Sequence, residues 1–257
     1  SSADQSLAES LASQAAIALT NRLLITQLEE LFESFISLIN LAIDEKSPYT
    51  GGHCQRVPAL TMMLATAADE ATEGPLAEFR MDERDRYELK IAGLLHDCGK
   101  VTTPVHVVDK ATKLQTLFDR IHLIDTRFEV LKRDAEIAAL RRQLALRGGG
   151  HTKADEQILH QYHDEVRVLD EDREFLRRAN IGGEAMSEGD LQRVRDIGSN
   201  RKWRNVDAIE TEFLTADEVV NLTIRAGTLT LKERDIINHH IVATIKMLEQ
   251  LPWPRHL

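Results

Sequence analysis

Residues 94–100 read LLHDCGK, which places a histidine and an aspartate at the end of an apolar helical run. A charged side chain is costly to bury unless an opposite charge compensates it. His96 and Asp97 offer an imidazole nitrogen and a carboxylate oxygen, which are common protein ligands of iron, manganese and zinc ions. The stretch therefore predicts a metal site at the end of a helix.

Other histidines supply further candidate ligands. His53 lies upstream, directly after the two glycines of SPYTGGH, residues 47–53. His240 lies in the periodic stretch GTLTLKERDIINHHIVATIKMLEQL, residues 227–251, and the adjacent His239 competes with it for the same role. Proline and glycine break a helix in the first of these stretches, so we expect a new helix to begin near Gly52.

The neighbouring positions of His96 and Asp97 restrict how they bind an ion. Adjacent side chains point about 100° apart on a helix, so one ion uses both only near the helix end, or Asp97 bridges two ions. Divalent ions polarise a phosphoryl oxygen and convert bound water into hydroxide near neutral pH. Lys100 lies one turn beyond His96 and reaches toward a phosphate that the ions hold. Asp97 and Lys100 are therefore the predicted catalytic residues.

The net charge of the chain bears on two classes of function: nonspecific binding to nucleic acid and binding of an anionic substrate. The chain has 257 residues and a formal net charge of −10, which disfavours nonspecific binding to nucleic acid. An anionic substrate then needs metal ions or a few arranged cations. Candidates for such a cationic rim are Arg56, Lys110, Lys113 and Arg120, and the alternative is scattered surface charge.

The N-terminal stretch, residues 1–46, contains no proline and no glycine. Its apolar residues follow alternating steps of three and four, and Gln14 and Asn21 interrupt the same seam, a pattern that fixes register between paired helices. A homodimer through this helix is one interpretation, and a single amphipathic helix packed on its own domain is the other. The stripe consists of Leu7, Ile17, Leu24, Leu28, Leu31, Phe35, Leu38 and Ala42.

The region from about 119 to 225 is rich in charge and carries two apolar stripes separated by RGGGHT. This pattern predicts an antiparallel helical hairpin, a possible surface for a protein partner. His160 and His163 have helical spacing suited to a metal, but their charged surroundings favour a solvated face. Ser187 and Thr230 are expected to cap later helices. The whole pattern predicts an all-α fold.

The cysteine content and the hydropathy of the sequence indicate the cellular compartment of the chain. Cys54 and Cys98 are the two cysteines, each beside a candidate ligand, and we interpret them as small buried residues in a reducing cytoplasm. No apolar run approaches the roughly 20 residues that a membrane span requires.

Several stretches resemble the HD superfamily of metal-dependent phosphohydrolases, and within it the HD-GYP group. They are YTGGHCQRV (49–57) and LLHDCGKVTTPVHVVDKATKL (94–114). The stretch at 227–252 is similar to the helix that carries the next metal-binding histidine of that group. LAESLASQAAIALTNRLLITQLEEL (7–31) resembles the closing helix of a GAF sensory domain that continues into a signalling connector.

The resemblance implies a set of metal ligands: His53, His96, Asp97 and His240. Asp97 would bridge two ions of iron, manganese or a similar metal, and His240 would bind the second ion, with His239 or His122 as alternatives. Lys100 would contact the substrate phosphate. Tyr49 stands where some members have an additional acidic ligand, which predicts two ions rather than three.

The resemblance also implies a domain order. It gives the last helix of a GAF domain at 1–20, a coiled-coil connector at 21–46 and an HD-type helical bundle at 47–257 with the hairpin inserted at about 119–225. The further His-His pair and the Gly-Tyr-Pro signature that follow the His240 helix in the family do not occur after this stretch. We therefore expect a fragment of a longer bacterial signalling protein, inactive or weakly active by itself.

HD-GYP proteins hydrolyse cyclic di-GMP, so the resemblance implies that substrate for the full-length protein. Two alternatives stay open. The module is degenerate and serves regulation or protein interaction, or it is an HD phosphohydrolase that acts on other nucleotides.

Overall fold

The computed structural model describes residues 2–46, 52–146 and 153–253. Tyr49 and the turn of the predicted hairpin lie outside the described residues. The described helices are α1 Ser2–Lys46, α2 His53–Asp69, α3 Glu83–Leu95, α4 Val105–Val108, α5 Ile121–Leu146, α6 Lys153–Ile181, α7 Glu188–Asn200, α8 Ala216–Leu222 and α9 Leu231–Glu249. Two short 3₁₀ helices span Gly74–Leu76 and Cys98–Thr102, and two strands span β1 Lys202–Arg204 and β2 Glu210–Glu212. The all-α prediction is confirmed, with this strand pair as a small addition.

The described chain divides into two compact units. The first comprises Ser1–Thr103 with Asn238–Leu257, and the second comprises Pro104–Ile237. Helix α9 belongs to the first unit from Asn238 onward. None of the described helices is both long enough and apolar enough to cross a membrane.

The first unit is built on α1, α2 and α3. Ile36 and Ile43 of α1 are buried, one helical turn to either side of the buried Asn40. They pack with a cluster from α2 and α3, because residues spaced by three and four share one helix face. The other members of the cluster are Cys54, Ile91, Leu95 and Cys98, with Phe32, Tyr87, Leu94, Met247, Leu248 and Trp253 at its edge.

Most of α1 packs against no other part of the described chain. The apolar stripe predicted from the heptad pattern is largely exposed in this structure, including Leu7 at 62% and Leu28 at 64%. Only its last turns carry buried residues, from Ile36 onward. The boundary between a GAF helix at 1–20 and a connector at 21–46 stays a prediction, because α1 is one continuous helix across both ranges.

The second unit has its own core and confirms the predicted hairpin. Three ion pairs join α5 to α6 in opposite order along the two helices: Asp125 with Arg177, Glu129 with Arg173 and Lys132 with Asp170. The two helices are therefore antiparallel. The core beneath them contains Leu114, Ile121, Ile124, Phe128, Leu169, Phe175, Leu176, Ala179, Val194, Ile197, Phe213, Leu214 and Leu222.

Helix starts follow the capping residues that the sequence indicated. Ser187 and Asp190 form a reciprocal capping box at the start of α7. The Thr230 hydroxyl accepts a hydrogen bond from the backbone amide of Glu233. In return, the Glu233 carboxylate accepts a hydrogen bond from the backbone amide of Thr230. Such pairs satisfy amides that the first helical turn leaves without partners.

The strand pair was not predicted. β1 and β2 are antiparallel, with Trp203 opposite Thr211. The Asn205 side chain accepts hydrogen bonds from the amides of Asp207 and Ile209, which closes the turn between the strands. Each strand has only three residues, too short for an alternating apolar pattern to stand out in the sequence.

Candidate metal centre

Helix α2 begins directly at the first candidate ligand, His53. Gly52 precedes it with φ of 73°, a left-handed conformation that glycine adopts without steric cost. The Gly52 amide donates to a carboxylate oxygen of Asp44 at 3.0 Å. The glycine therefore turns the chain so that His53 lies in the first turn of the helix, as the sequence predicted.

Helix α3 ends at the second pair of candidate ligands. Leu95 is its last residue, His96 takes the C-cap position, and Asp97 has left the helical conformation. His96 Nδ1 lies 2.7 Å from the carbonyl oxygen of Gly93. A carbonyl oxygen only accepts, so Nδ1 carries the proton and donates it. Nε2 of a neutral His96 ring then presents its lone pair, the arrangement that prepares a histidine to bind a metal.

The imidazole nitrogens converge on the two carboxylate oxygens of Asp97. His53 Nε2 lies 3.2 Å and His96 Nε2 lies 2.9 Å from Oδ2, while His240 Nε2 lies 3.5 Å from Oδ1. The Lys100 ammonium lies 2.6 Å from Oδ2. Four side chains from three parts of the sequence therefore surround one carboxylate.

The donor set fits a divalent metal ion. Metal–ligand bonds of about 2.1 Å place neighbouring ligand atoms about 3.0 to 3.4 Å apart. The separations from Oδ2 to His53 and His96 fall in or next to that range. Ligand atoms of His53, His96 and Asp97 all lie within 4.8 Å of one another, so these three side chains form a group able to hold an ion.

Asp97 is ionised in this setting although its side chain is only 8% exposed. Burial by itself raises the pKa of Asp97, but the hydrogen bond and charge of Lys100, together with His96 and His240, outweigh burial and lower the pKa. The carboxylate is therefore available as a metal ligand over the neutral pH range.

Helix α9 approaches this centre at Gly99. A Cβ atom on Gly99 would lie 2.1 Å from the carbonyl oxygen of His240, closer than any real contact. The Gly99 amide donates to Thr244 Oγ1 at 3.0 Å. The glycine thus permits the backbone contact through which α9 carries His240 to Asp97. Sequence reasoning missed Thr244, since nothing in its own surroundings signals a contact with a residue 145 positions away.

The structure distinguishes the histidines that competed for the later ligand position. His240 has a side chain only 16% exposed and faces Asp97. The adjacent His239 is exposed. His122 belongs to the second unit, is 77% exposed and lies 4.0 Å from Asp125. These placements favour His240, and its role as a metal ligand stays a prediction.

The predicted substrate contacts are placed less uniformly. Lys100 adjoins the centre, and Arg56 is exposed one turn into α2. Lys110 and Lys113 lie inside the second unit instead of on a surface rim. The Lys110 ammonium contacts Glu233 and Asn221, and that of Lys113 contacts backbone carbonyls. Sequence reasoning missed this burial because a lysine reads as a surface residue until its partners are known.

The two cysteines are buried and form no disulfide. Burial and the nearby Asp44 carboxylate raise the pKa of the Cys54 thiol to about 11, and burial also raises the pKa of Cys98. A thiol with a raised pKa is a poor nucleophile near neutral pH. Both therefore act as small packing residues, as predicted. His160 is 78% exposed and lies beside Asp164, in agreement with a solvated face.

Comparisons with known proteins agree with this geometry. An HD domain model matches residues 50–171, a range that includes His53, His96 and Asp97 but not His240. A segment of 82 residues is 33% identical to the 3'3'-cGAMP-specific phosphodiesterase 3 of Vibrio cholerae. That segment is 32% of this chain and only 15% of the relative's length. No solved structure matches the chain. Residues 50–171 are therefore similar to HD domains, over just under half of the chain.

Proposed function

We propose that this chain is the metal-binding part of a phosphodiesterase module that hydrolyses a cyclic dinucleotide. The HD domain and its relative support a metal-dependent phosphohydrolase. The narrower assignments, to the HD-GYP group and to bacterial signalling in the cytoplasm, belong to the proposal.

One observation carries the proposal: His96 Nε2 faces Asp97 Oδ2 at 2.9 Å while His96 Nδ1 is committed to a backbone carbonyl. A neutral imidazole lone pair and a carboxylate oxygen are both acceptors, so they repel at this distance. Either a proton on Nε2 or a cation between the two atoms relieves the repulsion. Since His53 Nε2 converges on the same oxygen, a divalent cation accounts for all three groups at once.

The two oxygens of Asp97 favour two ions over one. Oδ2 faces His53 and His96, whereas Oδ1 faces His240. A carboxylate with ligands on both oxygens has the arrangement of a bridge. We therefore propose that His53 and His96 hold the first ion, that His240 contributes to the second, and that Asp97 joins them.

Ions held there would supply Lewis acidity, able to polarise a phosphoryl oxygen and to acidify a water molecule. The chain's own residues do the rest. Asp97 keeps the ion-binding atoms together, and Gly93 orients the His96 ring through its carbonyl group. Lys100, held 2.6 Å from Asp97, offers an ammonium that neutralises charge on a phosphate beside the centre. The exposed Arg56 is a second candidate for a phosphate contact.

The substrate proposal rests on the family resemblance and on the relative. The resemblance favours cyclic di-GMP, and the relative's name gives 3'3'-cGAMP as its substrate. Both are cyclic dinucleotides with two phosphodiester groups, which suit an acidic protein only where a metal centre and Lys100 supply positive charge.

We also propose that the chain forms a homodimer through α1. The exposed stripe repeats with heptad spacing, and Asn21 lies in the seam, where a buried amide selects register and orientation. A protein partner on the α5–α6 hairpin remains a further prediction, supported by exposed apolar residues such as Leu140 and Leu144.

Metal content and hydrolysis test the proposal together. The purified chain is loaded anaerobically with Fe(II) or Mn(II), its metal content is measured by mass spectrometry, and cyclic di-GMP, 3'3'-cGAMP and a linear dinucleotide are offered as substrates. We expect bound metal, up to about two ions, and at most weak cleavage of a cyclic dinucleotide, because a fragment of the longer protein is expected to be weakly active by itself. His240→Ala should lower the metal content, whereas the adjacent His239→Ala serves as the matched control and should leave it unchanged.

The same experiment separates the alternatives. A chain that binds no metal contradicts the enzyme proposal and favours a regulatory or interaction module. Hydrolysis of linear but not cyclic dinucleotides favours a phosphohydrolase of other nucleotides. Metal binding without any hydrolysis supports the centre but removes the catalytic part of the proposal for this chain.

A further inference from the structure

The last turns of α1 contact the segment that leads into His53. Asp44 Oδ2 accepts a hydrogen bond from the Gly52 amide at 3.0 Å. Gly52 is the residue before His53 and sets the start of α2. A single side chain of α1 therefore fixes the backbone position from which the first candidate ligand projects.

The same stretch of α1 contacts the segment that carries the other ligands. Asn40 Nδ2 donates to the carbonyl oxygen of Leu94 at 2.9 Å, two residues before His96. The Lys46 ammonium donates to the carbonyl oxygens of Lys100 and Val101, just after Asp97. The Leu94 carbonyl lies in the last turn of α3, where a helix leaves its carbonyl groups without internal partners.

These contacts lie on a face of α1 that is fixed by packing. Asn40 is 4% exposed, and Ile36 and Ile43 beside it are 2% and 3% exposed. Rotation or sliding of α1 would remove all three side chains from their backbone partners. α1 also contacts α3 through the ion pair of Glu33 with Lys90, and Phe32 packs on Trp253. Residues 4–31 of the helix, which include most of the apolar stripe, are all exposed.

We infer that Asn40, Asp44 and Lys46 are positioning residues that set the geometry of the metal centre from α1. They join one rigid helix to both ligand-bearing segments, so a displacement of α1 changes the separation between His53 and the pair at 96–97. Helix α1 is thereby a control element for metal binding. This inference rests on the proposed metal centre and adds its regulation.

Mn(II) affinity of the full chain provides the test, measured from the electron paramagnetic resonance signal of unbound Mn(II). Asn40→Ala and Asp44→Ala should each weaken Mn(II) binding by about tenfold or more, the usual cost of losing a group that orients a ligand. Asp44→Asn keeps an acceptor oxygen for the Gly52 amide and should stay within about twofold of the wild type. The matched control is Glu45→Ala, which removes an exposed carboxylate from the same turn.

A purely structural role is separated by comparing affinity with stability. Phe32→Leu alters the edge of the core cluster without touching the three polar contacts. It should lower the melting temperature of the metal-free chain and leave Mn(II) affinity unchanged. If Phe32→Leu and Asn40→Ala each weaken Mn(II) binding in proportion to the stability that they lose, the positioning role is overturned.

The coupling must also act in reverse, because linkage between two sites is reciprocal. Mn(II) should slow amide hydrogen exchange in residues 36–46 of the wild type, and the Asn40→Ala, Asp44→Ala double variant should lose this effect. A wild type that binds Mn(II) with variants of equal affinity overturns the inference alone. A wild type that binds no metal overturns both the inference and the proposed function.

Discussion

The two units treat buried carboxylates in opposite ways. In the second unit Glu218 is 2% exposed, and both of its oxygens accept hydrogen bonds from the Arg127 guanidinium at 2.7 and 3.0 Å. Asp172 likewise contacts the guanidinium groups of Arg193 and Arg201. In the first unit Asp97 contacts imidazole nitrogens and a single lysine ammonium.

The difference separates structural charge from functional charge. A planar guanidinium matches a carboxylate with two parallel hydrogen bonds and leaves it saturated. Imidazole nitrogens that surround a carboxylate are ligands rather than counterions when their rings are neutral. Burial of a carboxylate alone therefore does not identify a site, whereas the chemistry of its neighbours does.

The largest expected effect is at Asp97. Asp97→Asn should abolish binding of Mn(II), because it removes the charge that both proposed ions share. In the metal-free chain it should cost less stability than Glu218→Gln costs, because the Lys100 ammonium is 26% exposed and stays hydrated without its partner. Calorimetric titration with Mn(II) and urea unfolding measure the two effects, with the exposed Glu88→Gln of α3 as the control. A loss of several kcal/mol in stability would make Asp97 a structural ion pair like Glu218.

Glu218→Gln should show the converse behaviour. It leaves the Arg127 charge buried without its partner, which costs about 3 to 5 kcal/mol of stability. Burial raises the pKa of Glu218, but its hydrogen bonds with Arg127 and Thr215 lower the pKa by a larger amount. The pKa is therefore below the ordinary value. The contribution of the pair is therefore present at neutral pH and lost as the pH falls through that lowered pKa.

Urea unfolding of wild type and Glu218→Gln at pH 7 and in acid measures this effect. The exposed Glu210→Gln of β2 is the matched control and should change stability by less than about 0.5 kcal/mol. A Glu218→Gln variant as stable as the wild type would contradict the structural role of the pair.

Gly99→Ala should have an intermediate effect, on both stability and metal binding. The added methyl group would collide with the His240 carbonyl and with Thr244, so α9 must shift. We expect a loss of about 2 kcal/mol and Mn(II) binding weakened at least about tenfold. Gly183→Ala is the control, because its Cβ would meet only one side-chain atom, at 3.9 Å. Unchanged Mn(II) affinity in Gly99→Ala would show that the position of α9 does not matter to the centre.

The last expected effect is the pH dependence of Lys113, which is the smallest when taken over a single pH unit. Burial lowers its pKa from 10.5 to about 8. Between these values the unfolded chain binds more protons than the folded one, so stability rises with pH by up to about 1.4 kcal/mol per unit. Below the folded pKa this slope vanishes.

The difference in unfolding free energy between the wild type and Lys113→Met isolates this slope between pH 7 and 10. Methionine has a similar length and does not titrate. Parallel curves for the two proteins would contradict the burial of the ammonium, and would return Lys113 to the predicted cationic rim.

The sequence was sufficient for the part of the site that is local. LLHDCGK predicted a helix that ends at a ligand pair, and the glycines before His53 predicted the start of the next ligand's helix. The choice of His240 over His239 followed from the family resemblance, and the structure turns His240 toward Asp97. Capping residues predicted the starts of α7 and α9 because a capping box lies within four residues.

The parts that could not be predicted depend on distant partners. Gly99 is present in the motif, but its reason is the backbone of α9, far along the chain. Lys110 was interpreted as a surface cation because its partner Glu233 follows 123 residues later. The contacts of Asn40, Asp44 and Lys46 could not be predicted for the same reason. An amphipathic pattern shows which face of a helix is buried but not which residues pack against that face.

Helix α1 has one more mechanical consequence. Its 45 residues form a rod of about 67 Å, and no proline or glycine provides a joint along it. A rotation of the helix near residue 7 is therefore transmitted to residue 40, because no flexible residue lies between them. Inserting one residue between these positions would rotate one end relative to the other by about 100°. The rotational register of the helix, and not only its presence, therefore sets how its two ends are coupled.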